Sequence, residues 1–286
     1  MTPLLPFTCE LGESPVWSVH EQALYWTDIS GRRIHRCDPA TGAECSWRMP
    51  SEPGCLALDE HGGLVVALRD GFHRFDPASL RIEPLARVDL DRSRMRFNDG
   101  RCDARGRFWA GTVDERREQP IAGLWCLERG RLSAGPDGRV LCNGLAFAPD
   151  GRWMYHADTE RGVIHRHPYD LERGVAGPAA VWRRFEPSEG RPDGAAVDAE
   201  GCYWVAMYEA GCVLRLDPDG RTILSLPVPV RCPTMVAFGG PALRTLYVTT
   251  SRRRRPALEL GEHPLSGAVF FTEVEPAGLP EPRYRG

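Results

Sequence analysis

The chain's 286 residues carry 36 basic and 39 acidic side chains, a formal net charge of −3. That balance gives no electrostatic reason to expect nucleic acid or an anionic membrane surface as a partner. No run approaches the roughly 18 apolar residues of a membrane span, and all 36 basic residues are arginine, which excludes lysine chemistry such as a Schiff base.

The opening stretch, MTPLLPFTCELGESP, lacks the basic start and apolar segment of a secretory signal, so the expected location is cytoplasmic. Ten cysteines are scattered with no C-x-x-C pair. They read as reduced, mostly buried small apolar residues rather than a disulfide framework.

From there one pattern repeats: an Asp/Gly-rich turn, then a short apolar strand with an aromatic or branched residue. It occurs at 20–30, 59–68, 103–112, 148–159, 198–208 and 239–250. With Trp26, Val66, Trp109, Tyr155, Trp204 and Tyr247 as anchors, the spacings are 40, 43, 46, 49 and 43 residues. A further strand follows each anchor, mostly alternating apolar and polar residues and closing in Asp-Pro or Gly turn chemistry. No stretch shows a convincing 3.6-residue period. Six repeats of short antiparallel strands predict an all-β fold, one six-bladed β-propeller with a central channel spanning residues 1–286. Two packed sandwiches are the alternative, disfavoured by so regular a period.

An earlier strand precedes each anchor (GESPVW, PGCLALD, FNDGRCD, CNGLAFA, PDGAAVD, PTMVAFG) and is expected to line the channel. Glu13 lies 13 residues before Trp26, Asn98 lies 11 before Trp109, Asn143 lies 12 before Tyr155, and Asp193 lies 11 before Trp204. Four blades thus place an oxygen-bearing side chain at nearly one height. The matching places in the other two blades, Gly54 or Cys55 and Thr234, bring no charge. Two carboxylates and two amides are hard donors suited to Ca²⁺, Mg²⁺ or Mn²⁺. Each has a plainer reading: Asn143-Gly144 as a hairpin turn, Asn98-Asp99-Gly100 as a loop, Pro192-Asp193-Gly194 as an ordinary turn. Four in register argue against coincidence.

The stretches LGESPVW, RFNDGRCDARGRFWAGT, CNGLAFAPDG, PDGAAVDAEGCYWVAMY and RCPTMVAFGG resemble the senescence marker protein/regucalcin/gluconolactonase family. The likeness runs from about residue 8 to the C-terminus. It implies a six-bladed propeller with one divalent cation, Ca²⁺ first from ligand type and Mn²⁺, Mg²⁺, Fe²⁺ or Zn²⁺ also compatible, that hydrolyses sugar lactones. By motif, the resemblance makes Glu13, Asn143 and Asp193 the metal ligands, Asp193 the proton acceptor and donor, and Arg96 and Asn98 the holders of substrate hydroxyls. The family's further substrate-binding acid falls at about Arg116, so either Glu115 beside it takes the role with a one-residue shift or the pocket reads a different sugar.

A lactone is an activated cyclic ester whose opening needs no covalent nucleophile. No G-x-S-x-G or H-E-x-x-H motif is present. The expected function is therefore a metal-dependent hydrolase that takes a sugar lactone such as glucono-, xylono- or arabinono-lactone to the aldonic acid. A non-catalytic calcium-binding regulator and a phosphotriesterase-like propeller hydrolase are the alternatives. His165 and His167 read as a solvated outer hairpin, and Arg252–Arg255 as a flexible loop of blade six that could shape the pocket rim.

Overall fold

Each anchor lies in the second strand of an antiparallel sheet. The computed structural model describes residues 1–286 as six such sheets. Blade one comprises Gly12–Ser18, Ala23–Asp28, Arg33–Asp38 and Ala43–Arg48, and blade two Cys55–Leu58, Leu64–Leu68, Gly71–Asp76 and Arg81–Arg87. Blade three is Met95–Cys102, Phe108–Asp114, Leu124–Glu128 and Arg131–Ala134. Blade four holds Cys142–Phe147, Trp153–Asp158, Val163–Asp170 and Ala180–Arg184, with a short extra strand, Val175–Ala176. Blade five is Arg191–Val197, Tyr203–Tyr208, Cys212–Leu216 and Thr222–Pro227. Blade six, Pro233–Gly239, Thr245–Thr250 and Phe270–Glu273, takes its outermost strand from the N-terminus, where Thr2 pairs Phe271 and Pro3 pairs Phe270. The ring is thereby closed by the two ends of the chain.

The Asp-Pro turns act through their side chains. Asp38 and Asp76 each accept the amide two residues on at 2.9 Å, and Asp217 does so at 3.0 Å, which fixes the turn before the fourth strand. Burial falls from the inside out: the first two strands of each blade are almost wholly buried, while outer strands such as Thr222–Pro227 are mostly exposed. Apolar clusters sit between neighbouring blades. Val16, Tyr25 and Ile34 of blade one meet Leu56, Val66 and Phe75 of blade two, and Trp26 and Cys37 meet Tyr247 and Val269 of blade six. Each blade is therefore held by burial of side chains against two neighbours. All ten cysteines are free; eight are buried, Cys45 is exposed and Cys212 is half-buried.

Two further features matter. A helix at Ala257–Glu262 follows the arginine run. At six residues it is too short to print a 3.6-residue period. Arg255 pairs with Glu259 one turn on and with Glu209 of blade five at 2.8 Å. The run 252–255 is therefore not the free loop expected from sequence but a pinned segment. The C-terminal tail crosses the pole at which the inner strands end, bridging Gly278 to Asp198 and Tyr284 to Asp59. Tyr284 is fully buried, and its hydroxyl accepts the Gly130 amide at 3.1 Å. Below the channel centre, Arg101 bonds the carbonyls of Leu145 and Ala195 and pairs with Glu281 of the tail. No helix is long and apolar enough to cross a membrane.

Candidate active site

The inner strands are not regular. Strand pairing slips between Glu13 and Val16 in blade one, Phe97 and Gly100 in blade three, Asn143 and Ala146 in blade four, and Pro192 and Ala195 in blade five. Each slip is a β-bulge that re-aims a side chain, and it sits at or just before Glu13, Asn98, Asn143 or Asp193. Blade six has one at Thr234, whose hydroxyl donates to the Gly12 carbonyl at 2.6 Å. Blade two is regular from Cys55 to Leu58 and sends nothing to the site. Asn143-Gly144 is thus no hairpin turn. Gly144 has φ +57°, and a Cβ there would lie 2.3 Å from the Tyr203 hydroxyl, so glycine is required.

Glu13, Arg96, Asn98, Asn143 and Asp193 line one cavity of about 320 Å³ at the pole where the inner strands begin. That volume suits a small metabolite. Glu13, Asn143 and Asp193 are 3, 2 and 6 % exposed, so two carboxylates are buried together. Glu13 has only the Ser14 amide at 3.2 Å, and Asp193 Oδ1 has no partner at all. Burial first, and then the negative charges of Asp193 and Asp99, push the Glu13 carboxyl well above the ordinary range, and burial followed by the Asp99 charge does the same to Asp193. Asp99, deeper in the channel, is pushed up to about 6, chiefly by burial. Unpaired buried carboxylates beside an amide oxygen form a cradle for a hard cation, which would remove their mutual repulsion. The residues fit such an ion.

The amides are oriented by a chain of hydrogen bonds. Arg96 Nη1 donates to Asn98 Oδ1 at 2.8 Å, and Asn98 Nδ2 donates to Asn143 Oδ1 at 2.7 Å. Asn143 Nδ2 donates to Thr159 Oγ1 at 2.8 Å, which in turn donates to the Pro192 carbonyl at 2.7 Å. This chain runs from blade three through blade four to the residue preceding Asp193.

Glu115 does not line this cavity. It lies in an adjoining one with Arg32 and Glu52, where its carboxylate takes Arg69 at 2.8 Å and Arg96 Nε at 3.5 Å. Arg116 is exposed and lines neither. The sequence reading missed Arg117, Thr159, Glu160, Arg191, Tyr208 and Ser251, all of which line the main cavity, and left the rim role of Arg253, Arg254 and Arg255 open. Most lie four to eight residues beyond an anchor, in loops at the same pole. The cluster Asp198, Glu200 and Cys202 is explained otherwise: Asp198 takes Trp204 Nε1 and Arg215 at 2.8 Å each, together with the Cys202 amide at 2.9 Å. His165 and His167 stack with His156, and His156 Nε2 lies 3.0 Å from His167 Nε2.

Fold and site together define a six-bladed propeller with an oxygen-donor cradle at one mouth of its channel. Residues 11–252 match the family model described as "SMP-30/Gluconolactonase/LRE-like region", and the chain belongs to that family. It is similar to the 6-deoxy-6-sulfogluconolactonase of Pseudomonas putida, with 48 % identity over 96 % of this chain and 95 % of that one. It is also similar to Pentonolactonase XacC of Haloferax volcanii, with 34 % identity over 98 % of this chain and 97 % of the relative. Among solved structures, the calcium-binding protein regucalcin of Agrobacterium tumefaciens superposes with a TM-score of 0.96 at 29 % identity, covering 99 % of this chain and 96 % of that one.

Proposed function

We propose that this chain hydrolyses sugar lactones to aldonic acids, with Glu13, Asn143 and Asp193 holding one divalent cation. The observation that carries the reading is the pair of buried carboxylates, from blades one and five, sharing a metabolite-sized cavity with Asp193 Oδ1 unpartnered. The relatives support the substrate class, since their names share an aldonolactone. A cation held there would supply Lewis acidity for the lactone carbonyl and balance the two carboxylates. Asp193, which lines the cavity and whose Oδ1 has no protein hydrogen-bond partner, takes the proton of a water that adds to the carbonyl carbon. It returns that proton to the ring oxygen as the ring C–O bond breaks. Arg96 keeps Nη2 free of any protein partner as a donor to substrate hydroxyls, while Asn98 holds Asn143 and Arg96 in place. Ca²⁺ is our first expectation for the ion, from its all-oxygen donors. A protein that only stores the ion has no use for the arginines around it.

The test is a panel of glucono-, xylono- and arabinono-lactones and an aryl phosphotriester, followed by proton release with and without chelator. Lactone opening that chelator abolishes and a divalent cation restores is expected. No lactone turnover with any cation would end this reading, and triester turnover alone would replace it.

A further inference from the structure

The main cavity is lined by six arginines, Arg96, Arg117, Arg191, Arg253, Arg254 and Arg255, against three carboxylates, Glu13, Glu160 and Asp193. Two of those carboxylates belong to the cation cradle. The third, Glu160, is shared by Arg117 at 3.6 Å and Arg191 at 3.4 Å. Glu209 takes up Arg191 at 2.9 Å and Arg255 at 2.8 Å. Arg253 is left with no acidic partner and no side-chain hydrogen bond, although it is only partly exposed. Arg117 Nη1 and Arg191 Nε are buried and make no hydrogen bond, Arg117 Nη1 having only the 3.6 Å ion pair to Glu160. Arg117 is also held at φ +60°, a left-handed conformation that a side chain rarely adopts. Burial and the neighbouring Arg254 charge weaken the hold of Arg253 on its proton, and burial followed by the Arg253 charge does the same to Arg96.

Clustered guanidinium groups repel, and desolvating them costs free energy that a neutral sugar does not return. Orphan guanidinium donors match the oxygens of a phosphate or sulfonate, which they bind as forks. Arg117 and Arg253 come from loops after second strands, outside the cradle. A lactone with its carbonyl at Glu13, Asn143 and Asp193 shares the one cavity with them, and they supply the basic lining outside the cradle. We propose that Arg117, Arg191 and Arg253 form an oxyanion subsite, and that the substrate is a sugar lactone carrying a sulfonate or phosphate on the carbon remote from its carbonyl. This rests on the lactonase reading for the reaction but not for the subsite.

The test compares kcat/KM for glucono-δ-lactone, its 6-deoxy-6-sulfo analogue and 6-phosphoglucono-δ-lactone, in the parent, Arg253→Met and Arg253→Lys. A charge-assisted contact predicts about a 10- to 100-fold preference for a charged lactone. Arg253→Met should shrink that ratio by about tenfold or more, and Arg253→Lys should keep part of it. The charged lactone with the higher kcat/KM names the group. Equal rates on neutral and charged lactones overturn the subsite while leaving the lactonase reading standing, and a ratio unmoved in Arg253→Met overturns the assignment to this cluster. If no lactone is opened, calorimetry decides with stable ligands: 6-phosphogluconate binding at least about tenfold tighter than gluconate, with the difference lost in Arg253→Met, sustains the subsite. Equal binding ends it.

Discussion

Asn98 donates from its side-chain amide to the side-chain oxygen of Asn143 at 2.7 Å, while its own oxygen accepts Arg96 at 2.8 Å. Asn98, with Thr159 accepting at the other end, thus fixes the orientation of the Asn143 amide. Asn98→Leu is predicted to leave Asn143 Oδ1 without its side-chain donor and Arg96 Nη1 with the Phe97 carbonyl alone, a loss of about 1–3 kcal/mol for the orphaned oxygen. Cation affinity measured by calorimetry should weaken at least about tenfold. Unchanged affinity would show that Asn143 needs no such brace.

Asp193→Asn keeps an oxygen donor but removes the charge and the proton acceptor. Turnover at saturating cation is predicted to fall about 10²- to 10⁴-fold, more than cation affinity does. A variant within threefold of the parent would take proton transfer away from Asp193.

The cation should couple to stability with a definite sign. Glu13, Asp193 and Asp99 all have carboxyls raised on folding, Asp99 to about 6. Such groups bind protons more tightly in the folded state, so cation-free protein should lose stability as pH rises from about 4 through 6 and above. Glu52 works in the opposite sense and in another window. Burial raises it, but hydrogen bonds and charge from Arg69, with help from Arg32, bring it to about 2. Its contribution is present above about 4 and is lost as pH falls towards 2. Thermal melts with and without chelator check this: the stabilisation by cation should grow from pH 5 to pH 8. A constant difference would mean that the carboxylates are not raised.

Arg96 offers a hydroxyl-directed donor, and a pocket built to pair with hydroxyls is left unsatisfied by a substrate that lacks them. Polyhydroxylated five- and six-carbon lactones should be opened much faster than bare γ- or δ-lactones, with Arg96→Ala narrowing the gap. Arg116→Ala should leave kcat/KM unchanged, since its side chain lines neither cavity. Equal rates on sugar and bare lactones in the parent would show that the cavity does not read hydroxyls.

Tyr284 is fully buried among Phe72, Phe97 and Phe108 between blades two and three. Tyr284→Ala should cost about 3–5 kcal/mol in denaturant unfolding, as large-to-small core changes do. A loss under 1 kcal/mol would mean that the tail docks without load.

The blades were legible because a strand repeat leaves anchors at a nearly fixed period, and the inner-strand residues keep an almost constant offset from them. Glu13, Asn143 and Asp193 could therefore be found by counting back. The loops beyond the second strands keep no such offset. Arg117 lies eight residues past Trp109, Glu160 five past Tyr155, and Arg253 six past Tyr247. Their meeting at one mouth depends on three loops of different length. Glu115 was misdirected by a local cause: Asp114 gathers the amides of Arg116, Glu118 and Gln119 at 2.9 to 3.2 Å, which turns the loop so that Arg117 faces the main cavity. The bulges that aim the inner-strand side chains leave no mark in composition.

Arg101 and the tail's Glu281 lie across the channel at the opposite pole, beneath the cradle. That ion pair narrows the far end of the channel, so the arginine-lined mouth is the expected way in and out. Whatever is made there must back out past the arginines that admitted its precursor, and ring opening gives it one more carboxylate for them to hold. Accumulated aldonate is therefore expected to compete with the lactone for the cavity, which inhibition kinetics with added aldonate would show.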